Sequence, residues 1–196
     1  KVPTPTPIPT PTEALVFEDD FSDNSAGWLE VDAPVRKLWI EGGEYHYMVK
    51  TGWEGASEYG WLEKRYSDFV LTTVARQVDD LAGYYGLAFR EDDAAVSYYY
   101  FIVSGDGYYA VGKRMGREWI NMVDWTFSPA INQGQGENIL QVVCVGDKIS
   151  AYVNDQELAT VRDDTFAEGY LGLLVGAFDE PGVHVAFDWV MVEPIE

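Results

Sequence analysis

Apolar side chains in this chain recur at every second position, in short runs that end on Gly, Asn or Asp. A period of two belongs to an extended strand, whose successive side chains point to opposite faces. No long window carries the spacing of about 3.6 residues that marks an amphipathic helix, so the chain reads as all-β. WIEGGEYHYMVK is two strand ends around Glu41, Gly42 and Gly43, and YYYFIVSGDGYYAVGKRM is a hairpin around Gly105, Asp106 and Gly107. VVCVGDKISAYVNDQELATV holds two more turns, at Gly146 with Asp147 and at Asn154 with Asp155. Further strands are predicted over 69–78, 84–90, 170–177 and 183–192, with shorter ones near Trp28 and Trp61. Roughly a dozen strands in one domain require two packed antiparallel sheets.

The alternation also assigns faces. In YYGLAFR, Tyr85, Leu87 and Phe89 share one face, and Tyr84, Gly86, Ala88 and Arg90 share the other. A guanidinium belongs in water, so the second face is predicted to point outward. The next strand divides Tyr99, Phe101 and Val103 from Tyr98, Tyr100 and Ile102, and GYYAVGKR turns Tyr109 and Val111 inward and Tyr108, Ala110, Gly112 and Arg114 outward. Sugars present apolar C–H faces beside hydroxyls, so a glycan site requires flat rings next to fixed polar groups. The candidate ligand-binding residues are therefore Tyr84, Arg90, Tyr98, Tyr100, Tyr108, Arg114 and Trp125, with Trp53, Trp61 and Trp119 contributing from strand ends or loops. The competing reading is that these rings only pair strands and pack the sheet.

FEDDFSDNSAGW near the start, YYYFIVSGDGYYAVGKR in the middle, ENILQVVCVGDKISAYVNDQEL later and VHVAFDWVMV at the end resemble the concanavalin A-like lectin/glucanase superfamily. The likeness spans 15–196 and is nearest to bacterial exported modules related to a family of unknown function that shares features with 3-keto-disaccharide hydrolases. It implies a jelly-roll sandwich of two antiparallel sheets, with one concave sheet as the usual ligand face. It also implies that segments carrying Asp19 and Asp20, and Asp188, become neighbouring strands. A structural Ca²⁺ held by these three carboxylates is expected on that basis, since hard oxygen donors suit calcium. The laminarinase-type branch of the superfamily carries Glu-x-Asp-x-x-Glu on one strand, and no such spacing occurs here. Glu91, Asp92 and Asp93 are consecutive and read as a solvated turn.

Composition narrows the function classes. Against 33 Asp and Glu stand 13 Lys and Arg, a net charge of −20 that repels nucleic acid and anionic membrane surfaces alike and suits a solvated exported surface. Cys144, the one cysteine, lies in the apolar run LQVVCVG and reads as a buried, inert thiol. His46 and His184 lack the third and fourth ligands that zinc needs and read as ordinary strand residues. No Gly-x-Ser-x-Gly elbow and no phosphate-cradling glycine loop is present. No run of about 18 apolar residues marks a membrane span. Alternating Pro and Thr over 3–12 removes backbone donors and fixes φ, so residues 1–13 read as a stiff extracytoplasmic linker reaching about 30 Å, and 14–196 as one β-sandwich domain. A signal with lipid attachment, a transmembrane helix or another domain is expected before Lys1. The resulting expectation is a monomeric, non-catalytic, surface-tethered module that binds a polysaccharide or glycoconjugate. The alternatives are a structural or protein-interaction domain of a larger envelope protein, or a glycoside hydrolase-like enzyme.

Overall fold

Glycine and asparagine turns close the hairpins of the computed structural model, which describes residues 17–51, 64–79, 82–92, 96–178 and 181–195. Gly42 and Gly43 take φ of 68° and 82°, and Asn154 and Asp155 take 48° and 64°. Two-residue turns with both φ positive match the right-handed twist of the strands they join. The Pro/Thr linker, the strand expected near Trp61, Trp53 and Asp93 lie outside the described residues.

Among the described residues the strands are, in chain order, β1 (Phe17–Asp19), β2 (Val31–Asp32), β3 (Arg36–Glu41), β4 (Glu44–Val49), β5 (Phe69–Gln77), β6 (Gly83–Asp92), β7 (Ser97–Ser104), β8 (Tyr108–Met115), β9 (Glu118–Phe127), β10 (Asn138–Val145), β11 (Lys148–Val153), β12 (Gln156–Arg162), β13 (Tyr170–Ala177) and β14 (His184–Pro194). A nine-stranded sheet runs β12-β11-β10-β5-β14-β4-β3-β2, with β1 paired to β14, and a five-stranded sheet runs β13-β6-β7-β8-β9. All pairings are antiparallel. Chain neighbours β5 and β6, β9 and β10, and β12 and β13 lie in different sheets, so the chain stitches the two layers together. No described helix is long and apolar enough to cross a membrane.

The core lies between the sheets and is built by the predicted inward set. Tyr85, Leu87, Phe89, Tyr99, Phe101, Val103, Tyr109 and Val111 meet Leu71, Leu140, Val142, Cys144 and Phe187 from the other sheet. Each such side chain taken fully out of water contributes about 1.5–3 kcal/mol. The buried Asn138 amide is matched, donating to Tyr85 Oη at 2.9 Å and to the carbonyl of Asn132 at 2.9 Å.

The short strand expected near Trp28 is β2, which begins at Val31; the Trp28 ring itself is a core residue whose Nε1 donates to Asp19 Oδ2 at 2.6 Å. β9 was not expected, because EWINMVDWTF lacks a period of two. Its register against β8 slips between Tyr109 and Val111 and again between Val111 and Gly112, and each bulge resets the alternation.

Candidate ligand-binding face

The register of the five-stranded sheet brings the predicted rings together. Ala88 pairs with Tyr100, Tyr100 with Gly112, Tyr98 with Arg114, and Tyr84 with Gly176. Tyr84, Ala88, Tyr98, Tyr100, Ile102, Ala110 and Leu174 form a second apolar cluster on the face turned away from the core, with Trp125 and Phe178 packed against it. The tyrosines lie down across glycines on adjoining strands. A Cβ on Gly112 would sit 2.3 Å from Tyr100 Oη, and one on Gly176 would sit 2.1 Å from Tyr84 Cζ.

That recumbent packing corrects the expectation of a wet tyrosine platform: Tyr98 and Tyr100 are only 0% and 1% exposed, and Tyr84 is buried too. Trp119, from the unexpected strand β9, packs edge-on to Tyr100 at 5.0 Å and to Tyr84 and Tyr98 at 6.3 Å each. Trp125 and Phe178 contact Tyr84 at 6.2 and 5.4 Å and each other at 5.5 Å. Surface rings on this side are Trp119 and Tyr108, each 40% exposed, and Phe127, with half-buried Trp125 and Phe178. Tyr108 packs on Phe127 at 5.6 Å, at the far end of the β8–β9 pair from Trp119.

The two arginines part company. Arg114 stays with the rings: its guanidinium lies 5.3 Å from the Trp119 centroid and 5.9 Å from that of Tyr98, and Nη1 donates to Tyr98 Oη at 3.3 Å. Arg90, expected outward, is 1% exposed. It takes φ 53° in a bulge between Phe89 and Asp92, which turns its side chain off the ring face. There it donates to the carbonyls of Ser67, Gly146 and Phe166 and to Asp68. After the bulge Glu91 pairs with Tyr170 and is buried, whereas a solvated turn was expected.

Burial pushes the Tyr84 hydroxyl up to about 12, with a further push from Tyr98. Burial likewise raises Tyr100, reinforced by Tyr98, Tyr84 and Asp124. Both are therefore neutral hydroxyls rather than bases at physiological pH. Tyr100 donates to Asn121 Oδ1 at 2.5 Å, and Asn121 Nδ2 donates to Asp124 Oδ1 at 3.2 Å, a relay that carries polarity from the buried cluster to the surface. Phe178 and Asn121 were not anticipated. Phe178 follows a run already read as strand, and Asn121 sits in a strand without clean alternation.

The carboxylates expected to hold calcium behave differently. β1 does pair with β14, with Asp19 opposite Val190. Asp19, however, spends Oδ1 on the amide of Phe21 and Oδ2 on Trp28, and Asp20 accepts from the amide of Ser22. Asp20 and Asp188 border one shallow surface depression. Among the described residues no three His, Cys, Asp or Glu side chains converge as a metal site requires. These residues do not fit a calcium cage.

On the outer side of the other sheet the two histidines, expected as unconnected strand residues, meet. His46 Nδ1 lies 3.0 Å from His184 Nε2, and Trp39 stacks on the His46 ring at 4.8 Å.

No protein-family model matches this sequence, and no curated protein matches it. Solved structures do resemble it. A carbohydrate binding module (CBM66) from Bacillus subtilis is 18% identical with a TM-score of 0.55, over 83% of this chain and 89% of that one. A β-glucanase from Bacillus licheniformis is 10% identical with a TM-score of 0.69, over 92% and 98%. A β-1,3-1,4-glucanase (lichenase) from a mouse hindgut metagenome is 11% identical with a TM-score of 0.65, over 92% and 99%. At these identities the likeness is one of fold: the chain has the concanavalin A-like jelly-roll sandwich.

Proposed function

We propose that this chain is a non-catalytic carbohydrate-binding module, displayed outside the cytoplasm behind its Pro/Thr linker. The observation that carries the reading is the second aromatic cluster. A sandwich needs one core between its sheets, yet here a further set of rings covers the outside of the five-stranded sheet and ends in exposed Trp119 beside Arg114. Trp119 and Trp125 offer stacking surface to a sugar, with the Arg114 guanidinium fixed beside Trp119 by the Gly116 carbonyl at 2.8 Å and Tyr98 Oη at 3.3 Å. Tyr84, Tyr98 and Tyr100 hold those groups in place from beneath. The names of the structural neighbours, a carbohydrate binding module and glucanases, favour the same ligand class.

Affinity electrophoresis against a panel of soluble polysaccharides tests this. At least one polysaccharide retards the wild-type protein, and Trp119→Ala and Trp125→Ala each weaken retardation about tenfold, or about 1.4 kcal/mol. Because Tyr98 and Tyr100 are buried, Tyr98→Ala with Tyr100→Ala lowers thermal stability and retardation together. Wild-type retardation by both tryptophan variants would overturn the reading. A second reading, a protein-interaction domain, is favoured by the exposed apolar side chains of Met115, Ile120 and Phe127 along β8 and β9. It predicts no retardation by any polysaccharide.

A further inference from the structure

At one end of the sandwich, off the ring face itself, lies a cleft of about 270 Å³ lined by Gln77, Asp79, Gly105, Asp106, Gly134 and Phe178, among others. Its walls come from both sheets: Gln77 ends β5, Gly105 and Asp106 form the β7–β8 turn, and Phe178 follows β13. The polar groups are held in place. Gln77, 2% exposed, donates from Nε2 to Asp79 Oδ1 at 2.8 Å, and the amide of His184 donates to Asp79 Oδ2 at 2.5 Å. Ser104 Oγ donates to Asp106 Oδ1 at 2.5 Å, and the amide of Gly134 donates to the carbonyl of Gly105 at 2.8 Å. Gly105 leaves room for the glutamine, since a Cβ there would lie 2.6 Å from Gln77 Oε1.

We infer that this cleft is a subsite for a single neutral sugar ring, continuous with the ring face; the inference rests on the carbohydrate reading and extends it. Three observations set the ligand class. The volume lies just under the range of about 300–1,000 Å³ for pockets that hold drug-sized ligands, which suits one small ring. The cleft offers acceptors: the side chains of Asp79 and Asp106 both line it, and carboxylate oxygens accept from sugar hydroxyls. Two carboxylates in a chain of net charge −20 disfavour uronates and sulfated sugars. Phe178 is the apolar wall for a C–H face. Because Phe178 also touches Trp125 and Tyr84, a sugar held in the cleft lies next to the proposed stacking rings. The module therefore grips one unit of a neutral glycan by its hydroxyls and the neighbouring unit by its flat face.

The test uses ¹⁵N-labelled full chain titrated with glucose, galactose, mannose, fructose and xylose, and separately with glucuronic acid and calcium chloride. At least one neutral monosaccharide shifts the amides of Gly105, Gly134 and Phe178 with a Kd of about 1 mM, the strength expected for a small polar ligand. Asp106→Asn, on an exposed turn, weakens that titration at least about tenfold, while Asp147→Asn, in the turn between β10 and β11 away from the cleft, leaves it within about twofold. Shifts at these amides from calcium alone, or equal affinity for glucuronic acid, would overturn the assignment. If no neutral monosaccharide moves them while polysaccharides still retard the protein, the cleft proposal fails and the ring-face reading stands. If the monosaccharide binds but Trp119→Ala and Trp125→Ala retain full retardation, the reverse holds.

Discussion

Arg90→Ala gives the sharpest check on how the five-stranded sheet is anchored. The guanidinium makes contacts to Ser67 O at 2.6 and 3.0 Å, Gly146 O at 2.9 Å, Phe166 O at 3.2 Å and Asp68 Oδ1 at 3.4 Å. It thereby ties the end of β6 to three loops, which the Gly146 amide donating to Asp68 Oδ1 and the Tyr66–Gly169 bridge also join to one another. Alanine leaves those carbonyl acceptors without a donor and opens a void at a 1%-exposed site. Hydrogen bonds to a charged group contribute about 1.5–3 kcal/mol, and removing one partner of a buried charged network costs about 3–5 kcal/mol. Because the contacts share one side chain and one of them is long, the lower end of that range applies, a loss of about 3–4 kcal/mol. No backbone relief offsets it, since alanine at φ 53° is strained as arginine is. At about 2–4 °C per kcal/mol for a domain of this size, the melting temperature drops by roughly 10 °C. Guanidinium denaturation followed by tryptophan fluorescence shows a lower midpoint at unchanged slope. Arg90→Met restores much of the volume but no donor, so it recovers little. A loss under about 1 kcal/mol for alanine, or full recovery with methionine, would show that packing and not the donor fork holds these loops.

Three further outcomes are expected. Gly112→Ala forces a Cβ to within 2.3 Å of Tyr100 Oη and 2.4 Å of the Ile120 carbonyl; it destabilises by about 1–3 kcal/mol and shifts tryptophan emission as Trp119 loses its seat, and wild-type spectra would contradict the recumbent-tyrosine packing. Burial pushes the Cys144 thiol up to about 12, so a thiol reagent at about pH 8 leaves the native protein unmodified and labels it once unfolded; rapid native labelling would refute the buried setting. Burial, and then His46 nearby, lower the His184 pKa from its usual 6.5. The unfolded chain then binds more protons than the native one below about pH 6.5, so stability falls as pH drops through that point. His184→Gln flattens this slope in denaturation curves taken at successive pH values, and an unchanged slope would show that the pair is not the source.

Much of the fold was legible because its cause is local. Side chains two residues apart share a side of a strand wherever that strand lies, so the inward set Tyr85, Leu87, Phe89, Tyr99, Phe101 and Val103 and the opposite set Tyr84, Tyr98 and Tyr100 were separable before any pairing was known. Alternation misassigns side chains where the backbone breaks period. At Arg90 a left-handed residue in a bulge redirects one side chain, and in β9 two bulges hide a strand that supplies Trp119. Buried or exposed is a different matter from inward or outward. Whether Tyr100 is wet depends on Gly112 lying beside it on the next strand and on Trp119 arriving from β9.

By itself, then, the chain's alternation and turn residues determined the all-β class, the hairpins and which rings share a side, since each follows from backbone geometry within a few residues. Only the tertiary structure decided that Tyr84, Tyr98 and Tyr100 are buried while Tyr108 is exposed. The same is true of Arg90 clamping loops, Asp19 serving Trp28, His46 meeting His184, and Gln77, Asp106 and Phe178 closing on one cleft. Those outcomes turn on contacts between segments far apart in sequence, where bulk, register and burial are set by a partner strand that no local pattern specifies.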